Sequence, residues 1–105
     1  MPLERGIRLM KNYYSDYVGH MMRQYLKLRN EPSMDSVAKE NVEICAKVID
    51  LLPDQEKSII EQVYSERLSS EYLDTVSEAN GIRLKNLWVI IKNFEKEVAT
   101  ERGLI

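Results

Sequence analysis

Residues 51–94 read LLPDQEKSIIEQVYSERLSSEYLDTVSEANGIRLKNLWVIIKNF, and this stretch determines the expected fold. Its leucine pair is followed by Pro53, which can open a helix, and then by an amphipathic segment. A serine-capped short helix, the Asn80-Gly81 turn and a last long helix come next, with almost no residues between them. This order predicts a helix-turn-helix preceded by a supporting helix.

The composition is typical of one soluble domain. The chain has 105 residues, of which 44% are hydrophobic and 30% charged, and this allows one modest core. No apolar run approaches the roughly 20 residues that cross a bilayer. The first residues, MPLERGIRLMKNYY, lack the apolar segment and cleavage site of a signal peptide. We therefore expect a cytoplasmic protein.

Charge is distributed unevenly along the chain, although its net value is only −2. Residues 1–30 carry six Lys or Arg against two Asp or Glu, whereas residues 31–70 carry four against nine. Phosphate binding depends on clustered cations rather than on total charge. In the sequence, the cation cluster lies far from the last helix.

Two further helices are expected before residue 53, so that the whole chain forms an all-α domain of five helices. The first covers residues 6–29 of an amino-terminal region, 6–32, and its predicted apolar face is Ile7, Met10, Tyr14, Tyr17, Met21, Tyr25 and Leu28. The second covers residues 36–52, with Ser33 or Asp35 as its cap. Its predicted buried residues are Val37, Val42, Cys45, Val48, Ile49 and Leu52.

The unit 53–102 is expected to hold the other three helices. Ser69 or Ser70 is expected to cap the second of these helices. The predicted inward residues of the first two helices are Ile59, Ile60, Val63, Tyr64, Leu73, Val76 and Ser77. The last helix, 83–101, is expected to bury Leu87, Ile91, Phe94 and Val98. Gly103 occupies the position of a carboxy-terminal cap.

No catalytic site and no cofactor are predicted. Cys45 and His20 are the only cysteine and histidine, so a disulfide and the usual metal sites are not expected, and Cys45 is expected to pack as a small hydrophobe. The chain has neither a glycine-rich phosphate loop nor a Gly-x-Ser-x-Gly motif. Acid pairs such as Glu95 and Glu97 are expected on solvated helix faces.

A group of residues in the carboxy-terminal half resembles a known family. They are Leu51-Leu52-Pro53, Glu56, Ile60, Tyr64, Val76, Gly81-Ile82, Leu87 and Ile91. This pattern is similar to the helix-turn-helix domain with which bacterial sigma factors read the upstream promoter element. It also resembles small phage regulators of the RinA and ArpU type, which carry an extra amino-terminal helix. The resemblance covers about half of the chain.

The resemblance implies a phage or prophage transcriptional regulator that acts by binding promoter DNA or by contacting RNA polymerase. Carried over by position, the exposed start of the reading helix would contain Arg83, Leu84, Lys85, Asn86 and Trp88, with Lys92 directed toward phosphates. Arg, Lys and Asn are side chains that read base edges. A homodimer is expected because two half-sites multiply affinity.

The alternative is an all-helical protein-interaction module that binds no nucleic acid. Trp88, Val89 and Ile90, together with Leu87 and Ile91, make the last helix apolar nearly all round. A helix of this kind is usually buried on both sides. The exposure of these side chains therefore separates the two hypotheses.

Overall fold

In a computed structural model of the chain, residues 13–29, 35–65 and 70–105 are described. They form five helices and no strand: α1 Ser15–Leu28, α2 Ser36–Asp50, α3 Asp54–Ser65, α4 Ser70–Ala79 and α5 Leu84–Arg102. The predicted all-α class is confirmed. The predictions for residues 6–12 and 30–32, and for the caps Ser33 and Ser69, lie outside the described residues.

Local chemistry sets the starts of α2 and α3. Asp35 caps α2, since its Oδ1 accepts a hydrogen bond of 2.8 Å from the backbone N–H of Ala38. The Pro53 carbonyl accepts the first helical hydrogen bond of α3, from Lys57 at 2.9 Å. Pro53 therefore immediately precedes the helix. Two acids in the first turn of α3 interact favourably with the helix dipole.

The last helix, α5, packs against each of the four other helices. Its buried residues recur at helical spacing on one face and are Leu87, Ile91, Phe94, Glu95, Val98 and Ala99. The predicted burial of the four apolar residues among positions 87–98 is thus confirmed. The inward residues predicted for α3 and α4 are likewise all buried.

The face that α1 turns toward the core differs from the prediction. Its buried residues are Ser15, Val18, Gly19, Met21 and Met22, whereas Tyr17 is 36% exposed and the predicted Tyr25 and Leu28 are half-buried. Ser15 is directed inward by a hydrogen bond to α5. The tyrosines can bury part of their rings and keep their hydroxyls near water.

The second helix is closer to its prediction. It ends at Asp50, two residues before the predicted limit, and Cys45 is fully buried as expected. Val37 is 53% exposed, so its predicted burial is wrong. It lies in the first turn, just after the Asp35 cap, where the next residue, Ala38, faces the core instead.

Candidate functional site

The connection between α4 and α5 is a Schellman motif. Gly81 has a φ of 63°, and its N–H donates to the Glu78 carbonyl at 3.2 Å. The N–H of Ile82 donates to the Ser77 carbonyl at 3.0 Å. Glycine adopts this left-handed backbone without the steric penalty that a Cβ brings. The predicted turn at Asn80-Gly81 is therefore present, with Gly81 as the residue of positive φ.

Asn80 fixes this turn against α3. Its Nδ2 donates to the Val76 carbonyl at 2.8 Å and to Gln62 Oε1 at 3.2 Å. Residues 80–83 separate the two helices, and Arg83 has an extended backbone at the start of α5 with no side-chain cap hydrogen bond. The direction in which α5 leaves the turn is thus set by contacts to two other helices.

The first three turns of α5 form a basic surface. No Asp or Glu occurs between residues 79 and 94, whereas Arg83, Lys85 and Lys92 do. Arg83, Lys85 and Asn86 are exposed, and Lys92 is half-buried. Within the described residues, none of these three cations has an ion-pair partner. Their charges are therefore available to an anionic ligand.

Trp88 takes a different position from the other predicted site residues. It is half-buried and packs against the hydrophobic core. Its indole N–H is buried and has no hydrogen-bond partner among the residues that the structure describes. The indole N–H of Trp88 is therefore not presented to a ligand at the surface.

The apolar residues around the helix are mostly covered by the domain itself. Leu87 and Ile91 are buried, Trp88 and Ile90 pack against the core, and Val89 is 48% exposed. The apolar residues that surround the last helix in the sequence are thus mainly used for packing within the domain. One exposed valine does not make an extended apolar patch.

A buried carboxylate lies behind the basic surface. Glu95 is 6% exposed and accepts hydrogen bonds from Ser15 Oγ at 2.9 Å and from the Tyr64 hydroxyl at 3.4 Å. Burial, and then the adjacent Glu95 charge, raise the pKa of Tyr64 well above 10.0. The expectation that Glu95 faces solvent is wrong. Glu95 lies four residues after Ile91 and three before Val98, and this helical spacing indicates that it shares their buried face.

A second polar cluster joins the far end of α5 to α1 and α2. Asn41 is 1% exposed; it donates to Gln24 Oε1 at 2.8 Å and accepts from Arg102 Nε at 3.0 Å. Arg102 also pairs with Glu40 at 3.2 Å. These groups satisfy one another, as buried polar groups must. The cluster is structural and leaves the basic surface as the candidate functional site.

Protein-family models, curated proteins and solved structures were each compared with the chain, and none matches. In the parts of the chain that the structure describes, no group of three or more His, Cys, Asp or Glu could hold a metal ion. None of the described helices has both the length and the apolar character to span a membrane. A functional assignment therefore depends on the geometry around α4 and α5.

Proposed function

We propose that the chain is a transcriptional regulator that binds double-stranded DNA through a helix-turn-helix formed by α4 and α5. The observation that carries this proposal is the exposed start of α5, where Arg83, Lys85 and Asn86 follow the turn with no acidic residue among them. In a helix-turn-helix, the residues at the start of the second helix contact base edges in the major groove. The chemistry of these three side chains suits that role.

Each exposed side chain has a distinct expected role. Asn86 can pair with the N6 and N7 edge of adenine, and Arg83 or Lys85 with guanine, each good pair contributing about 1–3 kcal/mol of discrimination. Lys92 lies seven residues after Lys85 on the same side of the helix, and we assign it to a backbone phosphate. The uncapped N–H groups at the start of α5 favour an anion as well.

The protein-interaction alternative is less well supported. Such a module needs an apolar surface on α5, and within residues 87–91 only Val89 is exposed. Trp88 supports the reading surface instead of contacting a partner, because it packs on the core one helical turn from both Lys85 and Lys92. A charged, acid-free surface is suited to a phosphate-bearing ligand.

The proposed regulator is cytoplasmic, of phage or prophage type, and acts as a homodimer that contacts RNA polymerase at a promoter. Dimer formation would place two α5 helices in successive major grooves. Tyr13 and Ile105 are 80% and 60% exposed, and the Tyr13 hydroxyl donates to the Leu104 carbonyl at 2.8 Å. These neighbouring apolar groups offer a surface for the subunit contact.

The deciding experiment measures binding to a pool of random-sequence DNA duplexes by fluorescence anisotropy across a range of salt concentrations. We expect an affinity that falls steeply with salt, because each phosphate contact contributes a slope of about −0.9 in log K against log salt. Arg83→Ala/Lys85→Ala should bind at least about tenfold more weakly, since the substitutions remove two cations from the surface that contacts the DNA.

The matched control is Lys39→Ala/Lys57→Ala, which removes the same charge from α2 and α3. It should retain wild-type affinity apart from a small nonspecific decrease. Absence of binding, or binding that does not respond to salt, would contradict the proposal. A binding partner that is lost on Trp88→Ala but retained in Arg83→Ala/Lys85→Ala would favour the interaction module.

A further inference from the structure

A basic cleft of about 590 Å³ lies between α1 and α3. Its principal lining side chains are Arg23, Lys27 and Arg29 on one side and Glu61, Gln62 and Tyr64 on the other. Three cations therefore face one carboxylate across an open cleft. This α1–α3 cleft is separate from the candidate reading residues, and in the sequence it is visible only as the excess of Lys and Arg in residues 1–30.

The three cations are not equivalent. Arg29 is held by Glu61 at 3.4 Å and lies over the Tyr25 ring, 5.3 Å from its centroid. Arg23 and Lys27 are exposed, and neither forms an ion pair within the described ranges. They are four residues apart on one helix, which places them on the same side of α1. Two uncompensated positive charges thus border the cleft.

The cleft adjoins the turn from which α5 begins. Gln62 is in its wall, and Gln62 Oε1 accepts a hydrogen bond of 3.2 Å from Asn80 Nδ2 in that turn. Arg83 follows three residues later in the chain. The packing of α1 on α3 therefore places cations that are far from the last helix in sequence around a cleft whose wall includes Gln62, the partner of Asn80 in that turn.

We infer that the α1–α3 cleft binds phosphate groups, with Arg23 and Lys27 as the charged ligands. Where duplex DNA lies against α5, as the proposed function requires, the phosphate belongs to the backbone beside the groove that α5 enters. Such a contact positions the protein on the duplex without reading its sequence. A free phosphate-bearing molecule is the other source of the same chemistry.

The test uses the full chain and the variant Arg23→Gln/Lys27→Gln, with Lys39→Gln/Lys57→Gln as the control of equal charge. In the first arm, DNA affinity is measured against salt concentration. The cleft variant should make the negative slope of log K against log salt shallower by about 0.9 for each phosphate that the protein no longer neutralises, or by between about 1 and 2 in total. The control should leave the slope unchanged.

In the second arm, inorganic pyrophosphate is titrated into each protein and followed by amide NMR. Saturable shifts confined to residues around Arg23, Lys27 and Gln62, absent in the cleft variant, would support the cleft as a phosphate site. With a reduced salt slope, they identify the DNA backbone as the source. With an unchanged slope, they identify a free phosphate-bearing ligand.

The two proposals fail in different ways. If the wild-type chain does not bind duplex DNA but shows localised pyrophosphate shifts, the proposed function is overturned and the phosphate site remains. If DNA binds, the cleft variant keeps the wild-type salt slope and pyrophosphate produces no localised shifts, the inference about the cleft is overturned. A reduced slope without pyrophosphate shifts supports a site that takes phosphate only as part of the duplex.

Discussion

The two faces of α5 differ in what their residues contact. On one face, apolar residues such as Leu87 and Phe94 pack against the other four helices. On the opposite face, Lys85 and Asn86 are exposed. One helix therefore provides both the centre of the core and the candidate binding surface. Substitutions on the first face should change stability, and those on the second should change binding.

The largest effect is expected from Phe94→Ala. Phe94 is 1% exposed and its ring lies 5.9 Å from that of Tyr64, so truncation leaves a cavity and should reduce the free energy of unfolding by about 3–5 kcal/mol. The adjacent Asn93 is exposed, and Asn93→Ala should change it by less than about 0.5 kcal/mol. Urea unfolding followed by circular dichroism measures both. Similar losses in the two variants would remove the distinction between the faces.

A smaller loss is expected from Glu95→Ala. The substitution removes the carboxylate that accepts hydrogen bonds from the Ser15 and Tyr64 hydroxyls, and loss of this buried acceptor should cost about 1–3 kcal/mol in total. Glu95→Gln retains an amide oxygen and should be the milder change. The exposed Glu97 provides the control, since Glu97→Ala should be nearly neutral. Equal stability of Glu95→Ala and Glu97→Ala would show that the buried carboxylate contributes nothing.

The free energy of unfolding should depend on pH because titratable groups are buried in the core against α5. Burial raises the pKa of the Cys45 thiol from 9.0 to about 12. The folded protein therefore holds this proton more tightly than the unfolded chain, so its stabilising effect is complete below pH 9 and is lost between pH 9 and about 12. The slope from one such group is about 1.4 kcal/mol per pH unit.

Unfolding measurements at closely spaced pH values, between about 8 and about 9.5, test this expectation in a range where most tyrosine side chains are still protonated. Cys45→Ala should remove most of the decline in that range, whatever its cost at neutral pH. Above pH 10.0, the raised pKa of Tyr64 adds a decline of the same sign. If Cys45→Ala kept the wild-type slope of unfolding free energy against pH, the thiol would not be responsible for the decline.

The smallest effect on stability is expected on the exposed face. Arg83→Ala/Lys85→Ala should leave the free energy of unfolding within about 0.5 kcal/mol of wild type, because both side chains are exposed and neither has an ion pair within the described residues. The same variant should lose affinity for DNA. A large decrease in stability would mean that these residues support the fold, and the two faces would not be separable.

Much of the fold could be predicted where apolar residues recur at helical spacing. The positions of Leu87, Ile91 and Phe94 fix the buried side of α5, and the exposure of Lys85 follows from it. The predicted buried face of α1 is wrong in part, because tyrosine is compatible with both core and surface. Spacing alone does not show which tyrosines retain access to water.

The candidate site could be predicted only in part. The basic start of α5 is visible in the sequence, and helical spacing from Ile91 places Glu95 on the buried side, whereas the hydrogen-bond donor to Glu95 is Ser15, 80 residues away. The α1–α3 cleft likewise depends on Arg23 and Gln62 meeting through tertiary packing. Interactions across such distances are not encoded in any local pattern, so they become visible only when the helices are assembled.

Trp88 lies at the boundary between the two faces, half-buried and packed on the core. It is the only tryptophan in the chain, and its helical neighbours at three and four residues are Lys85 and Lys92. Tryptophan fluorescence therefore reports from a single known place. Loss of tertiary packing would change the emission because the ring would leave the core. A molecule bound across the two lysines would change it because the ring's exposed surroundings would change. The protein thus contains its own label-free optical sensor for both events.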